Sequence, residues 1–93
     1  MKIIFLPKAQ QELYKTTEFY NEQSKGLGQF SATEVLESIE FISTYPEAWP
    51  LITKQTPKFT LKKFPYLILY GIVNNSITIS SIAHQHRHPN SYL

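Results

Sequence analysis

The stretch YLILYGIVNNSITISSIA, residues 66–83, decides the fold. Tyr66 to Val73 is almost continuously apolar, and Ile77 to Ala83 alternates through Ile77, Ile79, Ser81 and Ala83. Between them stands Asn74-Asn75, a tight-turn signal between strands, because asparagine tolerates positive φ. Just upstream, Lys58 to Phe64 alternates in part: Phe59 and Leu61 share one face, and Lys58, Thr60 and Lys62 the other. The C-terminal third therefore reads as three strands.

Working back from that sheet, residues 46–57 hold Pro46, Pro50 and Pro57 and read as an extended, irregular crossover. Before it the period changes. Phe30, Ala32, Val35, Leu36, Ile39 and Ile42 recur at helical spacings and predict a helix ending before Tyr45-Pro46. Ala9, Leu13, Thr17 and Tyr20 fall on one face of an earlier helix running to about Gln23. The break Ser24-Lys25-Gly26-Leu27-Gly28 separates the two, with Gly26 read as the C-terminal cap of the first. Two helices joined this closely form an antiparallel hairpin. Lys2 to Leu6 is a short strand stopped by Pro7, which suits the first turn of a helix. The order β-α-α-β-β-β predicts one α+β domain over residues 1–93, an antiparallel helical hairpin on one face of a twisted four-stranded sheet. The first strand is expected to pair inside that sheet, antiparallel to the neighbour of the second strand or beside it, with the strand order left open.

Composition narrows the function classes. The chain has no cysteine, which removes disulfides and thiolate chemistry and suits a reducing cytoplasm. No run of 18 apolar residues exists, so no membrane span is expected. The opening MKIIFLPKAQQ is too short in its apolar run for a secretory signal. A net charge of +2 permits nucleic-acid binding without demanding it. Only 17% of residues are charged, against about 25% in a typical soluble domain, a sign of apolar surface reserved for a partner. Gly26 and Gly28 lack the spacing of a phosphate loop, and no cofactor is expected.

Three segments together resemble the RelE/ParE superfamily of toxin–antitoxin toxins. ELYKTTEFYNEQSKGLGQF (residues 12–30) resembles that family's first helix and its G-L-G-x-F turn. KKFPYLILYGI (62–72) resembles its basic residue, F-P-Y and apolar strand, and ITISSIAHQHRHPNSYL (77–93) its last strand with H-x-x-R-x-P and a terminal aromatic. The wording is nearest to the ParE-type, plasmid-stabilisation branch. The resemblance implies a cytoplasmic, growth-inhibiting toxin held by a cognate antitoxin in a hetero-oligomer. Its target would be DNA gyrase or a related non-nuclease target. The alternatives are a ribosome-dependent mRNA endonuclease of the RelE kind, or a degenerate member that only binds its antitoxin.

Nuclease chemistry at a 2′-OH needs a base, an acid and positive charge on the phosphorane. His84, Arg87 and Tyr92 are the catalytic candidates for that reading; a histidine can serve either proton role and an arginine can clamp phosphate bidentately. Lys58, Lys62, Lys63 and His86 are candidates for binding nucleic acid or another target, Lys62 and Lys63 because they stand where the family has its basic residue before F-P-Y. If the end of the last strand meets the open face of the sheet, the lysines and histidines converge in one groove. Each has an ordinary counterpart: a solvated polar tail for the histidines, solubilising charge on an exposed strand for the lysines. No metal is expected, since the His-rich tail lacks nearby carboxylates and ligand spacing. Arg87 is the chain's one arginine, a departure from the arginine-rich nuclease members that weakens phosphorane stabilisation and favours the non-nuclease target. Tyr14, Phe19, Tyr20, Tyr66 and Tyr70 are expected in the core, Glu34, Glu37 and Glu40 on a solvated face. Trp49 is left as either an exposed anchor or a lid over the core.

Overall fold

The computed structural model describes residues 1–85. In chain order the elements are β1 (Lys2–Phe5), α1 (Pro7–Gln23), α2 (Leu27–Thr44), β2 (Lys58–Thr60), β3 (Tyr66–Val73) and β4 (Ser76–His84). Both helices pack on a four-stranded sheet of order β1-β4-β3-β2. The β3–β4 hairpin closes through Asn74 and Asn75 at φ 49° and 60°, the two positive values that a two-residue turn matching strand twist requires. Register shifts once, between Leu69/Ser81 and Tyr70/Ile79, leaving Ser80 as an extra residue on β4.

The first strand departs from expectation. β1 is an edge strand and runs parallel to β4, with Lys2 opposite Ser76 and Phe5 opposite Ile79. The sheet is therefore mixed. A parallel pair needs a long crossover, and the helical hairpin with β2 and β3 supplies it. β2 is shorter than the Lys58–Phe64 run suggested, because the chain turns after Thr60: the Leu61 N–H donates to the Tyr66 carbonyl at 3.0 Å.

The helix junction also differs in detail. α1 ends at Gln23 and is capped by Ser24, whose N–H donates to the Tyr20 carbonyl. Gly26, at φ 87°, begins α2 instead of capping α1. Gly28 marks the closest approach of the helices. Its N–H donates to Asn21 Oδ1 at 2.8 Å, and an added Cβ would collide with the Thr17 carbonyl oxygen and the Asn21 side chain.

The core between helices and sheet joins Ala9, Val35, Ile39 and Ile42 to Ile68, Tyr70, Ile77, Ile79 and Ile82. Each fully buried isoleucine contributes about 1.5–3 kcal/mol. The buried stripe of α2 is rotated from the apolar reading. Gly28, Ser31, Val35, Ser38, Ile39 and Ile42 face inward, whereas Phe30 and Leu36 are exposed. The serines tolerate burial because their hydroxyls donate to helix carbonyls, Ser31 to Gly28 and Ser38 to Glu34. Tyr70 is buried as expected, and Tyr20 and Tyr66 pack on the core, but Tyr14 and Phe19 lie exposed on α1. On the opposite face of the sheet, Leu67, Leu69 and Ala83 form a small second cluster under Ile52 of the crossover.

Candidate functional site

The basic residues lie at the β2 edge of the sheet. Because β2 is antiparallel to β3, directly opposed residues share a face. Lys58 opposes Leu69 and Thr60 opposes Leu67, which places them on the face away from the helices. Phe59 opposes Ile68 and packs into the main core. Lys62 and Lys63 follow in the turn, both exposed.

That turn is held by a carboxylate from the face of α2 expected in solvent. Glu34 of α2 accepts the backbone N–H of Lys62 at 3.0 Å and that of Lys63 at 3.0 Å. Position 34 borders the buried stripe, one turn before Ser38, and that is the signal that separates it from the exposed Glu37 and Glu40. The Lys63 ammonium sits 5.0 Å from the centroid of the Phe30 ring, a cation–π contact worth about 0.5–1 kcal/mol at an exposed site.

Beside the turn, α2 and the β2 edge enclose a cleft. One depression of about 400 Å³ is lined by Phe41, Trp49, Pro50, Phe59, Lys58 and Lys62. It continues through Phe41 and Phe59 toward Phe30 and Glu34, and through Phe41 toward Tyr45. Trp49 closes the inner end. Its ring meets Phe59 edge to face at 4.7 Å, and its indole N–H is buried without a hydrogen-bond partner among the described residues. Trp49 is thus a lid on the core.

His84 ends β4 on a different face. It opposes Tyr66, whose ring packs on the helix-side core, and the two rings stand edge to face at 5.3 Å. His84 therefore does not share a groove with Lys58 and Thr60. It does reach the same end of the sheet as the Lys62–Lys63 turn, since the Gln85 N–H donates to the Pro65 carbonyl at 2.8 Å and its side-chain amide to Tyr66 at 3.2 Å. His86, Arg87 and Tyr92 lie outside the described residues.

A second carboxylate works at the other edge. β1 stops at Phe5, and beyond it the Ile82 N–H would lack a partner; Glu12 of α1 accepts it at 3.0 Å, together with the Ser81 hydroxyl at 3.0 Å. Two tyrosines are perturbed. Burial raises Tyr70 from 10 to about 12, and its hydroxyl donates to the Pro46 carbonyl at 2.6 Å, tethering the start of the crossover. Burial, and then the neighbouring Tyr66, raise Tyr20. Among the described residues no group of His, Cys, Asp and Glu could hold a metal ion, and no helix is long and apolar enough to cross a membrane.

No protein-family profile matches the sequence, and no curated protein matches it. Solved structures do. One chain from the "Chromosomal ParDE TA system from P. aeruginosa" superposes with a TM-score of 0.80 at 15% identity, covering 90% of this chain and 95% of that one. At that identity the likeness is one of architecture: this chain has the fold of a ParDE toxin–antitoxin chain.

Proposed function

We propose that this protein is the toxin of a type II toxin–antitoxin pair, a single domain neutralised by a cognate antitoxin. The observation that carries the reading is the shared fold over nearly the full length of both chains. The apolar side chains left exposed along α2, rimmed by Lys58 and Lys62, support a protein partner. The target we favour is DNA gyrase or a related non-nuclease target in the cytoplasm, with Lys58, Lys62, Lys63 and His86 in the contact. Arg87 is the chain's one arginine, and the lysines at the β2 edge offer point charges, which bind acidic groups but lack the planar fork suited to a phosphorane.

Controlled induction in cells tests both parts. The expected result is growth arrest with DNA breaks and altered supercoiling, intact transcripts, and relief by co-expression of the adjacent reading frame. Cut transcripts under translation would overturn the target and assign His84, Arg87 and Tyr92 to RNA cleavage. Absence of arrest would overturn the toxin reading and leave a chain that only binds its partner. Arg87→Ala sharpens the outcome: a bidentate phosphate contact is worth about 1.5–3 kcal/mol, so an arginine acting on nucleic acid costs roughly ten- to a hundredfold in activity at unchanged stability.

A further inference from the structure

We infer that Glu34 is a positioning residue: its carboxylate fixes the Lys62–Lys63 turn so that both ammonium groups stand ready for acidic groups on a protein target. This rests on the reading that the two lysines meet the target.

Residues 61–65 join β2 to β3 without regular structure, and such a stretch is held by what its backbone groups bond and what its side chains bury. The Leu61 N–H donates to the Tyr66 carbonyl at 3.0 Å, and the Tyr66 N–H to the Phe64 carbonyl at 2.8 Å. From the end of β4, the Gln85 N–H donates to the Pro65 carbonyl at 2.8 Å and its side-chain amide to the Tyr66 carbonyl at 3.2 Å. Phe64 is 8% exposed and meets Tyr20 edge to face at 4.8 Å. Those contacts pin both ends of the turn and leave its outer part, Lys62 and Lys63. The N–H groups of that part go to Glu34. Oε2 accepts both at 3.0 Å, and Oε1 lies 3.3 Å from the Lys63 nitrogen. One side chain of α2 therefore holds the two positions that the strands and the core do not.

The way that carboxylate is used leaves the lysines charged. It bonds their backbone, and the Lys63 ammonium turns to the Phe30 ring, 5.0 Å from its centroid. A backbone N–H carries no net charge and an aromatic face is no anion, so neither contact neutralises an ammonium. Both lysines are exposed. A lysine is a point charge on a flexible stem. Where the backbone beneath it is also free, binding must order both, and affinity suffers. A turn fixed in advance leaves only the stem to be ordered.

Glu34→Gln and Glu34→Ala separate the acceptor from the charge: both remove the charge, and only alanine removes the oxygen. The probe is a hexaglutamate peptide titrated into the intact protein at low salt, where ion pairs are least screened, and read from the shifts of the turn amides. Lys62→Ala/Lys63→Ala should bind it more weakly than the parent. Glu34→Ala should bind it roughly tenfold more weakly than Glu34→Gln, the cost of ordering about one residue's backbone on binding. Glu34→Met, which keeps the bulk without the oxygen, should match alanine. Amide exchange at Lys62 and Lys63 should quicken in Glu34→Ala and hold in Glu34→Gln. In the Lys62→Ala/Lys63→Ala background the substitutions at Glu34 should bind alike, because the acceptor acts through the lysines; a merely structural role would persist there. Glu40→Ala, exposed on the same helix, removes a charge without touching the turn and should bind no more weakly than the parent. Urea unfolding of each variant establishes that the domain is folded. Equal affinities for Glu34→Gln, Glu34→Ala and Glu34→Met overturn the proposal, as does a parent that binds the peptide no better than Lys62→Ala/Lys63→Ala. Growth arrest in cells is read separately: a parent that binds as expected and arrests nothing overturns the toxin reading and leaves the role of Glu34 standing.

Discussion

The two faces of α2 invert the usual rule. The inner face carries glycine and serine among its buried positions, Gly28, Ser31 and Ser38, while the outer face carries Phe30, Leu36 and Phe41 in solvent. The inversion has a physical cause. Where α2 crosses α1, the backbones approach so closely that a methyl group has no room, and serine hydroxyls are harmless there because they bond back to their own helix. Large apolar residues on the outer face do nothing for that contact. The inner face thus serves stability, and the outer face is free for a partner.

The largest expected effect probes the inner face. Gly28→Val forces two methyl groups into the Thr17 carbonyl and the Asn21 side chain and should cost about 3 kcal/mol, the upper end for overpacking. Urea unfolding measures it. A loss under 0.5 kcal/mol would mean the helices separate freely and would break the comparison. Gly71→Ala is the control: a Cβ there meets nothing within 4 Å, and stability should hold.

Next comes the seam between α1 and β4. Glu12→Ala leaves the Ile82 N–H and the Ser81 hydroxyl without their acceptor and should cost about 2 kcal/mol, as loss of bonds to a charged group does. Amide exchange at Ile82 should accelerate before global unfolding does; exchange as slow as in the parent would show that another group covers this edge.

Tyr70→Phe removes the tether to the Pro46 carbonyl at about 1 kcal/mol. Its pH dependence has a definite sign. The folded-state value lies near 12 against 10 when free, so the unfolded chain releases the proton first. The contribution of the neutral phenol is complete below pH 10 and is lost as pH rises toward 12. The parent should lose stability across that window more steeply than Tyr70→Phe. Parallel curves would mean the hydroxyl already reaches water.

Much of this architecture could be read in the chain. The positions of both helices, the β3–β4 hairpin with its Asn74-Asn75 turn and the proline-bearing crossover stand where the pattern put them, because each is local; the inward face of α2 and the end of β2 do not. What was not legible was non-local. That β1 joins β4 in parallel depends on which edge remains open after the hairpin forms, and no residue in Lys2–Phe5 encodes it. The roles of Glu12 and Glu34 depend on strand ends 70 and 28 residues away, whereas in sequence both are ordinary helix-surface acids. The lysines at the β2 edge could be named in advance; that β4 delivers His84 to the other face followed only from its register with Tyr66.

The smallest expected effect tests the outer face. Phe41 is 57% exposed, and truncating it removes surface that is mostly wet already. Phe41→Ala should change stability by less than about 0.5 kcal/mol, as substitutions away from packed features do. Its neighbour in the same cleft should behave differently. Phe59 is half-buried in the main core and meets Trp49 edge to face, so Phe59→Ala should destabilise by about 2–3 kcal/mol, below the 3–5 of a fully buried ring. Two phenylalanines lining one cleft then separate into a floor that belongs to the fold and a wall that does not. A cost at Phe41 equal to that at Phe59 would mean that the outer face of α2 is also holding the domain together, and an aromatic group already committed to stability is not one that a protein partner can borrow.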